Sequence, residues 1–298
     1  DIIFLYSVPT EVATTTDDDT GSGDGDGTRG RFTTDGPKEI SNHEYFAKLS
    51  QRVVSILTLR TREGIVFPVD TRLRPSGNAG PLAVTGASFV KYHTGETAVW
   101  ERQAMTRARV VAGDVEFGNR VLDEVNKALY SKPLTDKDIS EMLRIRERME
   151  CEIAKESATR FNLKSGSGGL IDIEFLTQAM QLGFGSEVPE AVTPETLGAL
   201  LALAEAEKIP YVEYEFLKET YLFYRLLETR LRIVHDRAEG FLTAKTDELD
   251  TLAKSSGYHQ SGAKGPGLGM ALLDDYKALS KKVREQYLKR LEELKHSC

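Results

Sequence analysis

Beyond Pro133 the sequence loses strand alternation and keeps a helical apolar repeat almost to its end. Residues 136–160, roughly 170–184, 194–207, 211–237 and 269–295 all place apolar side chains at three- and four-residue steps, the spacing of one helix face. Amphipathic helices with no sheet to cover bury themselves against one another, so residues 133–298 predict an all-helical bundle. Lys164 to Gly169 is a Gly/Ser-rich joint between the first and second of these helices. The second, Leu170 to Gln178, is apolar nearly all round, which predicts burial. Asp172 and Glu174 in its first turn complement the helix dipole; a catalytic role is the alternative.

The half before Pro133 is mixed. Asp1-Ile2-Ile3-Phe4-Leu5-Tyr6 is a continuous apolar run behind an acid and predicts a buried strand over residues 1–8. A domain rarely starts on a central strand, so the chain is expected to be a fragment that lacks its upstream part. Thr14 to Gly36, with Asp17-Asp18-Asp19 and Asp24-Gly25-Asp26-Gly27, has almost nothing apolar to bury and predicts a mobile loop, taken as residues 10–38. Its aspartates suggest a calcium loop, but the closing glutamate of such a loop is absent. Ser41-Asn42-His43-Glu44 is a capping box opening a helix that Gly64 stops. Val66 to Arg74 predicts a strand, Val84-Thr85 a further short one, and 87–93 and 96–112 helices. Trp100 is expected in the core, Gln103 and Arg107 on one helix face, and Asp114 as the next N-cap.

Within the strand read over Val66 to Arg74, Phe67 and Val69 alternate as in a half-buried strand, and Asp70 falls at its end. Arg72 and Arg74, separated by Leu73, are expected to project from one face before Pro75, Gly77 and Gly80 break the element. A carboxylate is the hard oxygen ligand Mg²⁺ prefers, and planar guanidinium groups match phosphate oxygens in pairs. The cluster therefore suits a site for a metal ion and a polyphosphate; a surface ion-pair cluster accounts for the same residues.

Composition bounds the partners. Nine acidic and three basic residues fall within positions 1–40, which leaves 37 acidic against 36 basic residues elsewhere in a chain of net charge −7. No basic field predicts nucleic acid as a partner. No apolar run is long enough to span a membrane, and Asp1 to Tyr6 is no signal peptide. Two cysteines, Cys151 and Cys298, make no disulfide framework and fit a reducing, cytoplasmic location. None of the five histidines has a ligand spacing.

Several stretches together resemble the glutamine synthetase adenylyltransferase family: Asp1 to Tyr6, His43-Glu44-Tyr45-Phe46 through Gln51-Arg52, Asp70 to Gly77, Trp100 to Ala104 with Arg107 to Asp114, and Gly168-Gly169-Leu170-Ile171-Asp172-Ile173-Glu174-Phe175. The resemblance extends over nearly the whole chain apart from the 10–38 loop and the last forty residues. It implies an α+β nucleotidyltransferase-fold domain with a small mixed sheet, incomplete at its start, over 1–132, followed by the helical bundle over 133–298.

Members of the family have two homologous halves; one transfers AMP from ATP to a tyrosine of glutamine synthetase and the other removes it by phosphorolysis. The Asp-Ile-Glu-Phe form of the helical motif is similar to the adenylylating, C-terminal half. The resemblance implies that Asp1 and Asp70 are catalytic metal ligands, Asp1 matching the second aspartate of an Asp-x-Asp pair and Asp70 the third aspartate. A Gly-Ser pair and the first aspartate are then expected upstream. Arg72 and Arg74 are expected to bind ATP phosphates, with Mg²⁺ as cofactor and Trp100, Glu101, Gln103 and Arg107 as the helix supporting the Asp70 loop. Glutamine synthetase is the implied partner, together with a PII-type signal protein. Alternatives are the deadenylylating half, and a non-catalytic helical module that docks the PII-type protein.

Overall fold

A computed structural model describes residues 1–8, 34, 36–64, 68–95, 97–235, 240–244, 246–259 and 267–295. The polar stretch read as a mobile loop lies, apart from residues 34 and 36–38, outside these, as do 65–67 and Cys298. The chain forms two units, Asp1–Thr97 with Arg109–Asn126 and Ala98–Ala108 with Lys127–Cys298.

In the first unit, β1 (Phe4–Tyr6) pairs in parallel with β2 (Ala83–Thr85), Leu5 opposite Val84. Ala83 and Val84 are buried, as two-sided cover of a parallel pair requires. Helix α1 (Asn42–Leu57) starts where the capping box predicts: the Ser41 hydroxyl accepts the Glu44 N–H at 3.2 Å. Its Phe46 stacks on Tyr6 with ring centroids 4.6 Å apart, but Tyr45, Leu49 and Ile56 remain exposed. Thr85 ends β2 and caps α2 (Gly86–Thr94), accepting the Ser88 N–H at 3.1 Å. Gly86 lets α2 approach its neighbour closely: a Cβ there would lie 2.8 Å from the Phe117 ring. Gly64 ends no helix; at φ +103° it closes a tight bridge with Thr61.

The second unit takes in α3 (Val99–Met105), shorter than the 96–112 expected, and the last turn of α4 (Val115–Ser131), whose start Asp114 caps through the Phe117 N–H at 3.0 Å. Then come α5 (Asp136–Met149), closed by a π-helical turn at Glu150–Ala154, α6 (Leu170–Phe184), α7 (Thr196–Glu205), α8 (Tyr211–His235), α9 (Thr246–Ser255) and α10 (Leu268–Lys295). The expectation of no strands in this half is corrected by β3 (Arg160–Asn162) and β4 (Phe241–Thr243), an antiparallel pair. Three-residue strands are too short for alternation to register in sequence. α6 lies at the centre, packed by α3, α7, α8 and α10, with Ile173, Leu176, Ala179 and Met180 almost wholly enclosed.

Candidate functional site

In the first unit, the backbone N–H of Ile2 donates to the Asp70 carbonyl at 2.8 Å. That bond lays the segment carrying Asp70 beside the entry to β1. Asp1, Pro68, Val69, Asp70, Thr71 and Arg72 consequently line one open depression of about 610 Å³. Asp1 and Asp70, distant in sequence, share its lining because the Ile2–Asp70 bond draws the first residues to the stretch after Pro68.

The segment around Asp70 is not the strand expected: residues 68–71 carry no ladder and 72–76 turn. Pro75 cannot continue a ladder, and Ser76 at φ 60° and Gly77 at φ 54° bend the chain through left-handed backbone. Gly80 is needed for contact, since a Cβ there would stand 2.1 Å from the Pro75 carbonyl oxygen. The turn separates the two arginines that strand alternation would place on one face. Arg74 folds inward, donating from Nη1 to the Thr71 carbonyl at 2.6 Å and from Nε to the Gly80 carbonyl at 3.2 Å. It closes the loop. Arg72 points to solvent and grips Asp70, Nε to Oδ2 at 2.8 Å and Nη2 to Oδ2 at 2.5 Å. Its backbone N–H adds a bond to Asp70 Oδ1 at 2.8 Å.

The Arg72 guanidinium and backbone N–H hold the Asp70 carboxyl well below the usual carboxylate range, to about 2. Asp70 is therefore ionised at neutral pH, the form a metal ligand needs. Among the described residues no three His, Cys, Asp or Glu side chains gather as a metal site. Two protein carboxylates still fit Mg²⁺, which keeps waters and takes substrate phosphates for its remaining positions.

The second unit holds a different constellation. Asp172 is wholly buried; Arg146 Nε donates to its Oδ1, Arg284 Nη1 lies 3.3 Å from its Oδ2, and the Gly168 N–H donates to Oδ2 at 2.8 Å. Glu150 pairs with Arg284 at 3.1 Å. Asp172 is thus more than a dipole complement: it is the hub of a neutral set of two arginines and two acids. The Gly/Ser segment before α6 is a built loop, with Arg146 Nη2 donating to the Gly166 carbonyl at 2.6 Å. Acids inside an otherwise apolar helix were the available sequence signal, since a buried charge demands a partner.

Glu174 lies 3.2 Å from Arg107 Nη1 and accepts from the Tyr221 hydroxyl at 3.3 Å. Gln103 donates to Gln178 at 3.3 Å. Gln103 and Arg107 do not share one helix face as expected, since α3 ends at Met105 and Arg107 lies in the turn beyond it, yet both side chains reach α6. Trp100, expected in the core, is 42% exposed; Val99 and Met105 fill the buried side of α3 instead.

A family model described as glutamate-ammonia ligase adenylyltransferase matches residues 28–124, and one described as GlnD PII-uridylyltransferase matches 138–289. A protein of Nitrosococcus oceani, named bifunctional glutamine synthetase adenylyltransferase/adenylyl-removing enzyme, is 35% identical over 226 residues, 76% of this chain and 23% of that one. Proteins of the same name from Bradyrhizobium diazoefficiens and Stenotrophomonas maltophilia are 37% and 35% identical, over 74% and 76% of this chain and 22% and 24% of theirs. The chain belongs to the glutamine synthetase adenylyltransferase family. It spans about a quarter of the length of these relatives. In this family member, Asp70 lies inside the adenylyltransferase match, and the Asp172 hub and Glu174 lie inside the uridylyltransferase match. Among the described residues no helix is long and apolar enough to cross a membrane.

Proposed function

We propose that this chain is part of a cytoplasmic enzyme that transfers AMP from ATP to a tyrosine of glutamine synthetase, and that its first unit is a nucleotidyltransferase-type domain. The observation that carries the reading is the shared depression of Asp1 and Asp70 in a member of this family. The tyrosine oxygen attacks the α-phosphorus, the bond from that phosphorus to the β-phosphate oxygen breaks, and pyrophosphate leaves with the electron pair. Asp1 and Asp70 would hold Mg²⁺, which in a two-metal arrangement supplies positive charge at the entering and leaving oxygens. In this reading the tyrosine proton would pass to the Asp70 carboxylate. Arg72 meets the triphosphate at the solvent side. Arg74 serves by holding the turn that presents Asp70 and Arg72.

The Asp-Ile-Glu-Phe motif on α6 supports the adenylylating half. The relatives' bifunctional name keeps the phosphorolytic reaction as the second reading, and the PII-uridylyltransferase match over the helical unit is the reason to include a PII-type protein among candidate partners. In the full-length enzyme, Asp70→Asn keeps the side chain's shape and removes its charge. Transfer of labelled AMP to glutamine synthetase should fall by at least about a hundredfold, the scale of losing a preorganised charge. Circular dichroism should show the fold unchanged. A variant that is normal in transfer but defective in phosphate-dependent AMP release would assign this chain to the removing half. A folded variant normal in both would refute the metal role of Asp70.

A further inference from the structure

We infer that Arg72 is a releasable latch on Asp70: its guanidinium occupies the carboxylate in the free protein, and a divalent cation binds there only by displacing it. This rests on the reading of Asp70 as a metal ligand.

The latch is geometrically complete. Arg72 Nε lies 3.0 Å from Asp70 Oδ1 and 2.8 Å from Oδ2, and Nη2 lies 2.5 Å from Oδ2. The guanidinium thus spans both oxygens. Divalent cations require those oxygens directly, so cation and guanidinium compete for the same atoms.

The latch is also easy to open. The Arg72 side chain is 71% exposed, and an exposed ion pair contributes little net stability because water screens it. Two residues on, Arg74 is the contrast: its donors satisfy the Thr71 and Gly80 carbonyls, so releasing it would open the turn. The backbone bond from Arg72 N–H to Oδ1 at 2.8 Å does not depend on the guanidinium. When the side chain leaves, that bond keeps the carboxylate aimed, and Oδ2 becomes the free oxygen for the metal.

The test is Mn²⁺ binding, read by the loss of the free-ion electron paramagnetic resonance signal, with the 298-residue chain and circular dichroism as the folding control. Arg72→Ala should bind Mn²⁺ about three- to tenfold more tightly than wild type, the range expected for removing one exposed pair strengthened by its bidentate geometry. Arg72→Lys keeps the charge but loses the fork, and should fall between the two. In an Asp70→Asn background the Arg72→Ala gain should vanish. Equal or weaker binding by Arg72→Ala overturns the latch, as does a gain that survives in the Asp70→Asn background, which marks a general charge effect. Failure of the underlying reading looks different: Asp70→Asn alone would then bind Mn²⁺ as well as wild type.

Discussion

The Arg146–Asp172 pair and the Arg72–Asp70 pair show what burial does to one chemistry. Asp172 and Arg146 are fully enclosed, so taking either charge away strands the other in a medium that cannot solvate it. Asp172→Asn should lower the unfolding free energy by about 3–5 kcal/mol, the scale for breaking a buried pair. Urea denaturation followed by circular dichroism measures this, and a loss under about 1 kcal/mol would mean that water reaches the hub. Of the candidate site, Asp70 is legible in sequence as an acid ending an apolar alternation, whereas Asp1 enters only through resemblance. The fate of Arg74 is not legible. Alternation assigns faces only while the backbone stays extended, and the left-handed pair Ser76 and Gly77 reverses it just beyond.

At the scale of elements, the helices with long apolar periodicity are found near where the sequence places them. α6, α7, α8 and α10 each start within two residues of expectation, because their apolar faces are long enough to average out local noise. α9 is missed: over Thr246–Ser255 only Leu249, Leu252 and Ala253 reach the core. The Gly/Ser segment before α6 is read as a simple joint because composition cannot show the carboxylates that organise it. There Gly168 has φ +68°, and a Cβ would stand 1.8 Å from the Ser280 carbonyl oxygen on α10. Gly168→Ala therefore meets both a strained backbone and a helix that cannot yield locally. It should cost at least about 2 kcal/mol, combining overpacking with left-handed strain. Gly257→Ala is the control: it has a similar φ of +93° and nothing within 4 Å, so it should cost less. Thermal melts of both variants would separate contact from strain, and equal losses would remove the contact argument.

Across the whole molecule, buried phenols set a limit that neither fold class nor net charge reveals. Tyr130, Tyr224, Tyr276 and Tyr287 are buried in the second unit. Burial pushes the Tyr130 hydroxyl up to about 12 from an ordinary 10.0, and drives Tyr224, Tyr276 and Tyr287 higher still. Asp172 adds to the rise at the last three, because a phenolate would sit near its negative charge. A group whose folded value lies above its unfolded value gives stability that is complete below the unfolded value. Here that stability is intact below pH 10 and is lost as the pH climbs through 10 toward 12 and beyond. In the first unit Tyr6 is also raised by burial, but the second unit carries the larger share. Alkaline titration should therefore give a cooperative loss of helical circular dichroism above pH 10, with tyrosinate absorbance rising in the same step. Replacing Tyr224 and Tyr287 by Phe, whose hydroxyls have no hydrogen-bond partner among the described residues, should move that step to higher pH. Gradual tyrosinate formation centred near pH 10 with helicity unchanged would mean that the phenols are already open to water.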